Sequence, residues 1–365
     1  MQKRYRSTLT KAGLIVVSVI IASAILEIGL RVIGYDPLKS LKTGREFILK
    51  ESLFSDLQYE LTPGASGYAW DTDVQINDNG HRGRSVVPGK FNGFRTVVIG
   101  DSITFGNFLP LESTYSYRLH EILNHKKRSK YEVLNLGVGG YNIVQEVANL
   151  EHLGLNYKPD LVVVGFCLND IGISSPNLEY INSIDKYKSG VISYLRIAQF
   201  FSNTIDKILL VKWMEKMNKP EIFQKHYKTR IAQINKDEEV LYELMKEAPD
   251  KHPLNWYKSE QHIGLLRYSF EHLSKLQTRD NFKVVVLIFP WLVEDSGIYP
   301  YITAHKIVTH EANRAGFEII EIIDEYMDEG MENLRITEKD LVHPNALGHK
   351  IVAEKLATYI NNIQH

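Results

Sequence analysis

The chain has 365 residues, enough to bury the core of one large domain with insertions or of two smaller domains. Its formal net charge is −1, so no global field favours nucleic acid, and we predict no nucleic-acid partner. It contains one cysteine, Cys167, which excludes an intrachain disulfide but leaves the cellular compartment open.

A basic cluster and an apolar run open the chain. The cluster contains Lys3, Arg4, Arg6 and Lys11. The run that follows, AGLIVVSVIIASAIL from Ala12 to Leu26, reaches the length of a bilayer span when the apolar residues up to Ile33 are added. Residues 1–34 therefore predict an anchor in the inner (cytoplasmic) membrane, with the rest of the chain outside the cytoplasm. A cleaved signal peptide is the alternative, because Ala22-Ser23-Ala24 has the spacing of a cleavage site, and a buried helix is a third.

The next segment, residues 35–94, is rich in turn-forming residues. It contains three prolines and several glycines, and the stretch INDNGHRGRS from Ile76 to Ser85 is typical of turns. We expect an irregular extension that packs on a domain beginning at residue 95.

From residue 95 onward, runs of strand length alternate with helical segments. Apolar runs predict five strands, at residues 95–100, 131–137, 159–166, 281–290 and 317–324. Helical spacing predicts helices at residues 113–125 (with Ser113 as the N-cap), 141–155 and 345–363. Nearly continuous Val, Ile and Leu strands separated by helices indicate an α/β fold with a parallel sheet covered on both faces. Ligands of such sheets bind at the carboxyl ends of the strands.

A long insertion, at about residues 172–280, separates the third and fourth predicted strands. It contains a predicted helix at residues 193–217, and its middle part is basic. The basic residues are Lys207, Lys212, Lys216, Lys219, Lys225, Lys228 and Arg230. One interpretation is a solvated helical face. The other is a cap over the site, or a patch that faces anionic lipid or glycan.

The first candidate for chemistry is Ser102, which follows the first predicted strand in the sequence VVIGDSITFG. A serine at this edge can act as a nucleophile if a base takes its proton. A serine that opens a helix is more often a simple cap, so the triplet Gly100-Asp101-Ser102 is weak evidence alone. The G-x-S-x-G elbow of α/β-hydrolases is absent around Ser102.

The candidate base is His343, which lies three residues after Asp340 in the sequence DLVHPN. A carboxylate at this spacing can bond one imidazole nitrogen and leave the other for the serine. A metal site is the alternative, but the sequence offers no third ligand at metal spacing, and we predict no metal and no cofactor. His349, in the following helix, is expected to be a structural surface residue.

Two further segments follow predicted strands. NLGVGGYN, from Asn135 to Asn142, offers backbone N–H groups, and FCLNDIG, from Phe166 to Gly172, offers the Asn169 amide. Taken singly, the glycines are explained by a tight turn and Asn169 by a cap or an Asx-turn. Their joint occurrence with Ser102, each after a strand, favours a site at one sheet edge.

This combination resembles the SGNH hydrolases, also called the GDSL esterase/lipase superfamily, in their membrane-anchored bacterial form. The resemblance covers most of residues 95–363 except the insertion. It implies a flavodoxin-like three-layer α/β/α sandwich around a five-stranded parallel sheet. It also implies that Ser102 is the nucleophile, His343 the base and Asp340 its partner. The oxyanion donors would be the N–H groups of Ser102 and Gly140 and the amide of Asn169.

Two features qualify the motif match. Cys167 stands where the third family block, Gly-x-Asn-Asp, usually has glycine, and as a buried thiol it is not predicted to be the nucleophile. INDNGHRG resembles a segment found ahead of the first block in many anchored members, which implies that Asn79 and Arg82 pack near the site.

The resemblance implies a serine esterase that cleaves short O-acyl groups, acetyl above all, on a small molecule or on envelope or exported polysaccharide. An O-acyltransferase that uses the same serine is the first alternative. An anchored, non-catalytic glycan-binding or scaffold protein is the second. The membrane would be a partner through residues 1–34, and a secreted or periplasmic protein would result if that segment is cleaved.

Overall fold

The computed structural model describes residues 2–35, 48–125, 130–172, 190–217, 225, 231–235, 238–294 and 296–364. Helix α1, Gln2–Val32, opens the chain. Within the described part of the chain, its segment Thr10–Val32 is the one helix long and apolar enough to cross a membrane. Several of the predicted basic positions, Lys219, Lys228 and Arg230, lie outside the described residues.

The extension is more regular than the sequence predicts, because it forms two antiparallel hairpins. Strands β1 (Leu49–Glu51) and β2 (Tyr59–Leu61) form the first, and β3 (Ser66–Ala69) and β4 (Thr72–Gln75) the second. Their apolar side chains form a small core with Phe105, Val138 and Tyr141 of the main domain. The extension is therefore packed on that domain.

Five parallel strands form the central sheet, as the sequence predicts. They are β5 (Phe94–Gly100), β6 (Tyr131–Asn135), β7 (Leu161–Cys167), β8 (Lys283–Phe289) and β9 (Glu318–Glu321), in the order β6-β5-β7-β8-β9. The order reverses between β5 and β7, and the carboxyl ends at such a switch point form a crevice where ligands bind.

The described helices after α1 comprise those that cover both faces of the sheet and two that stand apart from it. They are α2 (Ser102–Phe105), α3 (Tyr115–Asn124), α4 (Ile143–His152), α5 (Gly190–Tyr194), α6 (Arg196–Met217), α7 (Glu239–Glu247), α8 (Glu260–Asp280), α9 (Ile302–Arg314), α10 (Ile323–Glu329) and α11 (Ala346–Ile363). Helix α3 packs against α11, while α4 and α9 pack against α8. Crossovers between parallel strands are right-handed in nearly all proteins, and with the strand order reversed after β5 this handedness puts the two groups of helices on opposite faces, as in a three-layer sandwich.

Two helices depart from the predicted pattern. The N-cap of α3 is Thr114, whose side chain accepts the Tyr117 N–H, and not Ser113. Helix α8 was predicted as part of the insertion, yet it buries Ile263, Leu266 and Phe270 in the main core. It is therefore the crossover helix between β7 and β8, and the described helices that stand apart from the sandwich are α1, α5 and α6.

Candidate active site

The end of strand β5 explains the triplet Gly100-Asp101-Ser102. A Cβ at Gly100 would lie 2.2 Å from Oγ1 of Thr104 and 2.7 Å from the carbonyl oxygen of Gly165, so the close approach admits only glycine. The Asp101 carboxylate then caps α2 by accepting the Ile103 N–H at 2.8 Å. Ser102 is left as the first residue of a helix at the sheet edge.

The structure brings Ser102, His343 and Asp340 together. Oγ of Ser102 lies 2.9 Å from Nε2 of His343, and Nδ1 of the same ring lies 2.8 Å from Oδ2 of Asp340. The three side chains come from the loops after β5 and before α11, and all are partly accessible to solvent. This is a connected hydroxyl–imidazole–carboxylate chain in which a proton can pass from oxygen to nitrogen.

Asp340 is held as a carboxylate. Burial alone would raise its pKa, but hydrogen bonds from the His343 ring and from the backbone N–H groups of Val342 and His343 lower the pKa to about 2. Both backbone bonds end on Oδ1 at 2.9 Å, and Oδ2 stays with the ring. An ionised Asp340 fixes the tautomer of His343 with the proton on Nδ1, so Nε2 is free to accept the Ser102 proton.

Asp101 offers Ser102 a second acceptor. Its Oδ2 lies 3.0 Å from the serine Oγ, so the hydroxyl can donate to only one of Asp101 and His343 at a time. Complete burial raises the pKa of Asp101, opposed by hydrogen bonds from Ile103 and Ser102 and by the charge of His343.

Gly140 lies in the turn that follows strand β6. The Tyr141 N–H donates to the Val138 carbonyl at 3.1 Å, and Gly140 has a φ of +83°, which suits the third position of a type II turn. The alternative donor Gly137 is already used, because its N–H donates to Oδ1 of Asn135 at 2.9 Å. Of these two glycines, Gly140 is the better candidate donor.

Asn169 follows strand β7, next to the β5 end across the switch point. The Cys167 thiol donates to Oδ1 of Asn169, which leaves the Nδ2 amino group for another acceptor. Burial raises the pKa of Cys167 well above its usual range, so the thiol stays neutral. Cys167 thus holds the amide, a contact that glycine could not make.

Two buried carboxyl groups lie behind the Gly140 and Asn169 loops. Glu146 of α4 and Asp170 are both completely buried, and burial together with nearby negative charge raises the pKa of both well above the usual range. Two interacting buried carboxyl groups do not both ionise, so the pair carries a single negative charge at most. Asp170 also accepts the Cys167 N–H at 2.6 Å and, through its carbonyl, the Ile143 N–H at 3.0 Å. These bonds tie the two loops together.

The extension contributes contacts that sequence reasoning missed or placed only roughly. Arg82 is buried and donates to the carbonyls of Phe105, Gly106 and Leu109. These bonds fix the backbone of the segment that follows Ser102. Asn79, by contrast, is exposed in a turn, where its N–H donates to the Asn77 side chain.

Trp70 was not predicted at the site at all. It sits in the β3–β4 turn with a φ of +49°, against Phe105 and beside Gly139, so its indole lies next to the Gly140 turn. Trp70 and Asp71 both have positive φ values, as a type I′ turn requires. Trp-Asp is not one of the usual residue pairs of that turn, so nothing in the sequence marked the position. On the other side, the Phe108 ring meets the His343 ring edge to face at 5.3 Å.

The expectation that His349 lies on the surface is wrong. It is buried, and its Nδ1 accepts the Tyr115 N–H at 3.1 Å. Burial, with the nearby charges of His343, Arg118 and Arg82, lowers the pKa of His349 to about 3. His349 is therefore a neutral ring that joins α11 to α3.

A parallel α/β sheet with a connected serine, histidine and aspartate at its carboxyl edge defines a serine hydrolase. Residues 98–263 match the sequence profile of the GDSL-like Lipase/Acylhydrolase family. The matched segment, which is less than half of the chain, is similar to this family of the SGNH hydrolases, and the similarity supports a carboxylic ester hydrolase. The match includes Ser102, Gly140 and Asn169 and ends before Asp340 and His343.

Solved structures with a similar chain trace were also found. They include an acetyl xylan esterase, AlAXEase, with 16% identity, a TM-score of 0.39 and coverage of 73% of this chain and 100% of that one. A catalytic mutant of the acetylxylan esterase Axe2 from Geobacillus stearothermophilus has 13% identity, a TM-score of 0.40 and coverage of 74% and 94%. TesA has 13% identity, a TM-score of 0.41 and coverage of 73% and 98%. No curated protein sequence gives a significant match.

Proposed function

We propose that the protein cleaves short O-acyl esters, acetyl esters of extracytoplasmic glycans above all, through an acyl-Ser102 intermediate. The single observation that carries this proposal is the connected chain from Oγ of Ser102 through the His343 ring to Asp340, with separations of 2.9 and 2.8 Å. Both distances lie in the range of ground-state hydrogen bonds, so no rearrangement is needed before the proton moves.

His343 takes the Ser102 proton as the hydroxyl attacks the ester carbonyl. The oxyanion that forms accepts hydrogen bonds from the N–H groups of Ser102 and Gly140 and from Nδ2 of Asn169. The protonated His343 is stabilised by the Asp340 carboxylate, and it returns the proton to the leaving alcohol. Water, deprotonated by the same ring, then releases the acid and restores Ser102.

Two aromatic rings favour a small acyl group on a sugar. Phe108 packs on the His343 ring, and Trp70 flanks the Gly140 turn, so both rings lie beside groups that a bound ester would contact. The half-buried Trp70 indole also offers an apolar face to a sugar ring. An anchor at residues 1–34 would give this site access to glycans outside the cytoplasm.

The test is hydrolysis of p-nitrophenyl acetate and of acetylated xylan oligosaccharides, with free acetate as the product measured. We expect Ser102→Ala and His343→Ala to lower kcat by at least about 10³-fold, and Asn169→Ala by about 10²–10³-fold. A fluorophosphonate should label the parent chain but not Ser102→Ala. Equal hydrolysis by the parent and Ser102→Ala would refute the mechanism.

The substrate class has its own test. Trp70→Ala should raise KM for the oligosaccharide several-fold and leave KM for p-nitrophenyl acetate nearly unchanged, since only the sugar reaches the indole. Tyr68→Phe, in the same hairpin, is the matched control. Equal effects of Trp70→Ala on both substrates would count against a sugar-binding role.

A further inference from the structure

Helix α6 exposes an apolar face. Its large exposed apolar residues are Phe200, Phe201, Ile205, Ile208, Leu209 and Val211. At 100° per residue, these six positions fall within one half of the helix circumference. Lys212 and Lys216 project from the same half near the end of the helix, so the surface is mainly apolar up to Val211 and partly basic beyond it. An exposed apolar patch of this kind marks an interaction surface.

The start of α6 is bound to the last turns of α1. The backbone N–H groups of Arg196 and Ile197 donate to the Glu27 carboxylate at 3.1 and 2.7 Å. Arg31 donates to the same carboxylate at 2.7 Å and to the carbonyl of Tyr194 at 2.8 Å. Leu30, between them, is buried although most of α1 is exposed. The two helices therefore meet through both polar and apolar contacts.

The position of Glu27 determines how deep the first residues of α6 lie in a bilayer that α1 spans. Glu27 lies inside the candidate span Thr10–Val32, about 8 Å from its end at 1.5 Å per residue. A carboxylate at that depth is costly unless it is paired, and its partners here are the first N–H groups of α6 and Arg31. If α1 spans a bilayer, α6 begins at the boundary between headgroups and acyl chains.

The opposite side of α6 is already occupied. Nδ2 of Asn203 donates to the Tyr35 hydroxyl at 3.2 Å, and the Gln199 side chain is buried against the carbonyl of Ser193. The Tyr35 ring meets the Phe200 ring at 5.6 Å, at the edge where the exposed face begins. These contacts direct the face that contains Phe201, Ile205 and Ile208 outward, in the part of the chain that the structure describes.

We propose that α6 lies along the bilayer surface beside α1, with its apolar face in the acyl boundary and its lysines at anionic lipid phosphates. The exposed lysines are Lys207, Lys212 and Lys216. Their stems can extend along apolar surface while the amines reach the phosphates. The apolar faces of α6 and of α1 then form one continuous lipid-contacting surface. A second copy is a poorer occupant, since a symmetric pairing of α6 would bring like-charged lysines together.

The experiment measures lipid contact residue by residue in the full chain, in vesicles of phosphatidylcholine and phosphatidylglycerol. Ile208→Cys is labelled with bimane, and brominated phosphatidylcholine is the quencher. Leu53→Cys is the matched control, because Leu53 is 99% exposed but lies on the extension. The parent chain, with its one buried thiol, is the labelling blank. Ile205→Cys, on the same face, is measured in parallel, and circular dichroism checks the fold of each variant.

We expect brominated lipid to remove at least about half of the emission at positions 208 and 205, and almost none at position 53. Unquenched emission at 208 and 205 would overturn the proposal. The proposal would also be overturned if bimane at these positions became better protected from the quencher as the protein-to-lipid ratio rises, because that result means a second copy covers the face. The intact mass of the membrane-extracted chain must retain α1, and a chain cleaved near residue 24 would also overturn it. None of these outcomes depends on esterase activity.

Discussion

The parallel sheet carries two additions, the extension at residues 48–93 and the helices α5 and α6, and they contrast in how they contact the rest of the chain. The extension contributes a small buried core and buried hydrogen bonds that end on the loops around Ser102. Helices α5 and α6 contact α1 and keep a wide apolar face exposed. The extension thus supports the site, whereas α6 faces outward.

This difference shows that the backbone at the carboxyl edge of the sheet, where the candidate site lies, is held rigid by contacts from the extension. The Gly139 carbonyl accepts the Tyr59 hydroxyl, the Tyr141 hydroxyl donates to the carbonyl of Tyr59, and Gln145 donates to that of Leu57. The Gly140 turn is therefore held from outside the sheet. We expect changes in the extension to alter stability and kcat, and changes in α6 to alter lipid contact alone.

The largest effect is expected for Arg82→Met. The change removes a buried guanidinium and leaves the carbonyls of Phe105, Gly106 and Leu109 without a donor, at a cost of about 3 kcal/mol in the free energy of unfolding. Urea unfolding measures the loss, and kcat for p-nitrophenyl acetate should fall with it. Arg84→Met is the control, because its ion pair with Glu121 is exposed and worth less than about 1 kcal/mol. Equal losses for the two variants would contradict the supporting role of Arg82.

Acid should weaken the extension next. His81 is buried against the Tyr157 hydroxyl, and burial lowers its pKa to about 4. Below the unfolded pKa of about 6.5, the unfolded chain takes up a proton on this histidine and the folded chain does not. The stability present above pH 6.5 is therefore lost as the pH falls towards 4. Between pH 7 and pH 5 the expected loss from His81 is about 2 kcal/mol.

His81→Gln should reduce the pH dependence by that amount in urea unfolding at the two pH values. His125→Gln, at an exposed histidine, should keep the parental pH dependence. If His81→Gln loses as much stability as the parent chain between pH 7 and pH 5, burial of His81 is not the cause of the acid sensitivity.

Tyr59→Phe should have a smaller effect. It removes the 3.2 Å hydrogen bond to the Gly139 carbonyl, worth about 1 kcal/mol, and keeps the ring contact with Tyr141. We expect kcat to fall several-fold with KM almost unchanged, because the loosened turn affects a donor used mainly in the transition state. Tyr68→Phe, at an exposed ring, should have no effect, and a KM change without a kcat change in Tyr59→Phe would contradict this account.

The smallest effect is expected for replacing Lys207, Lys212 and Lys216 by glutamine. The emission of bimane at position 208 should respond a few-fold less to added anionic lipid, because each lysine near the surface contributes about 1 kcal/mol to the attraction to anionic lipid. Replacing Lys90, Lys339 and Lys350 instead changes the net charge equally and should leave this sensitivity unchanged. Hydrolysis of p-nitrophenyl acetate should be the same in both triple variants.

Much of the fold could be predicted because each central strand is a short run of Val, Ile and Leu with a helix after it. The hairpins β1–β2 and β3–β4 were missed because strands of three or four residues give almost no periodic signal. Helix α8 was assigned to the insertion because the distance from β7 along the chain hides that the helix packs directly on the sheet.

The candidate site was predictable where a motif fixes residue type and order, as with Ser102, Asn169, Asp340 and His343. The burial of His349 was not, since the sequence of α11 does not show which of its faces packs on α3. Trp70 was missed for a similar reason, because its place beside the Gly140 turn arises from tertiary packing of a hairpin. The catalytic roles themselves stay predictions until the variants are measured.

The contact between Ser102 and His343 joins positions 241 residues apart, and the imidazole lies just before helix α11. A growing polypeptide can thus complete strand β5 long before the imidazole is synthesised. The hydroxyl, the ring and the Asp340 carboxylate can meet only after the segment that contains α11 has docked on α3. The order of synthesis therefore separates folding of the serine segment from assembly of the three-residue chain.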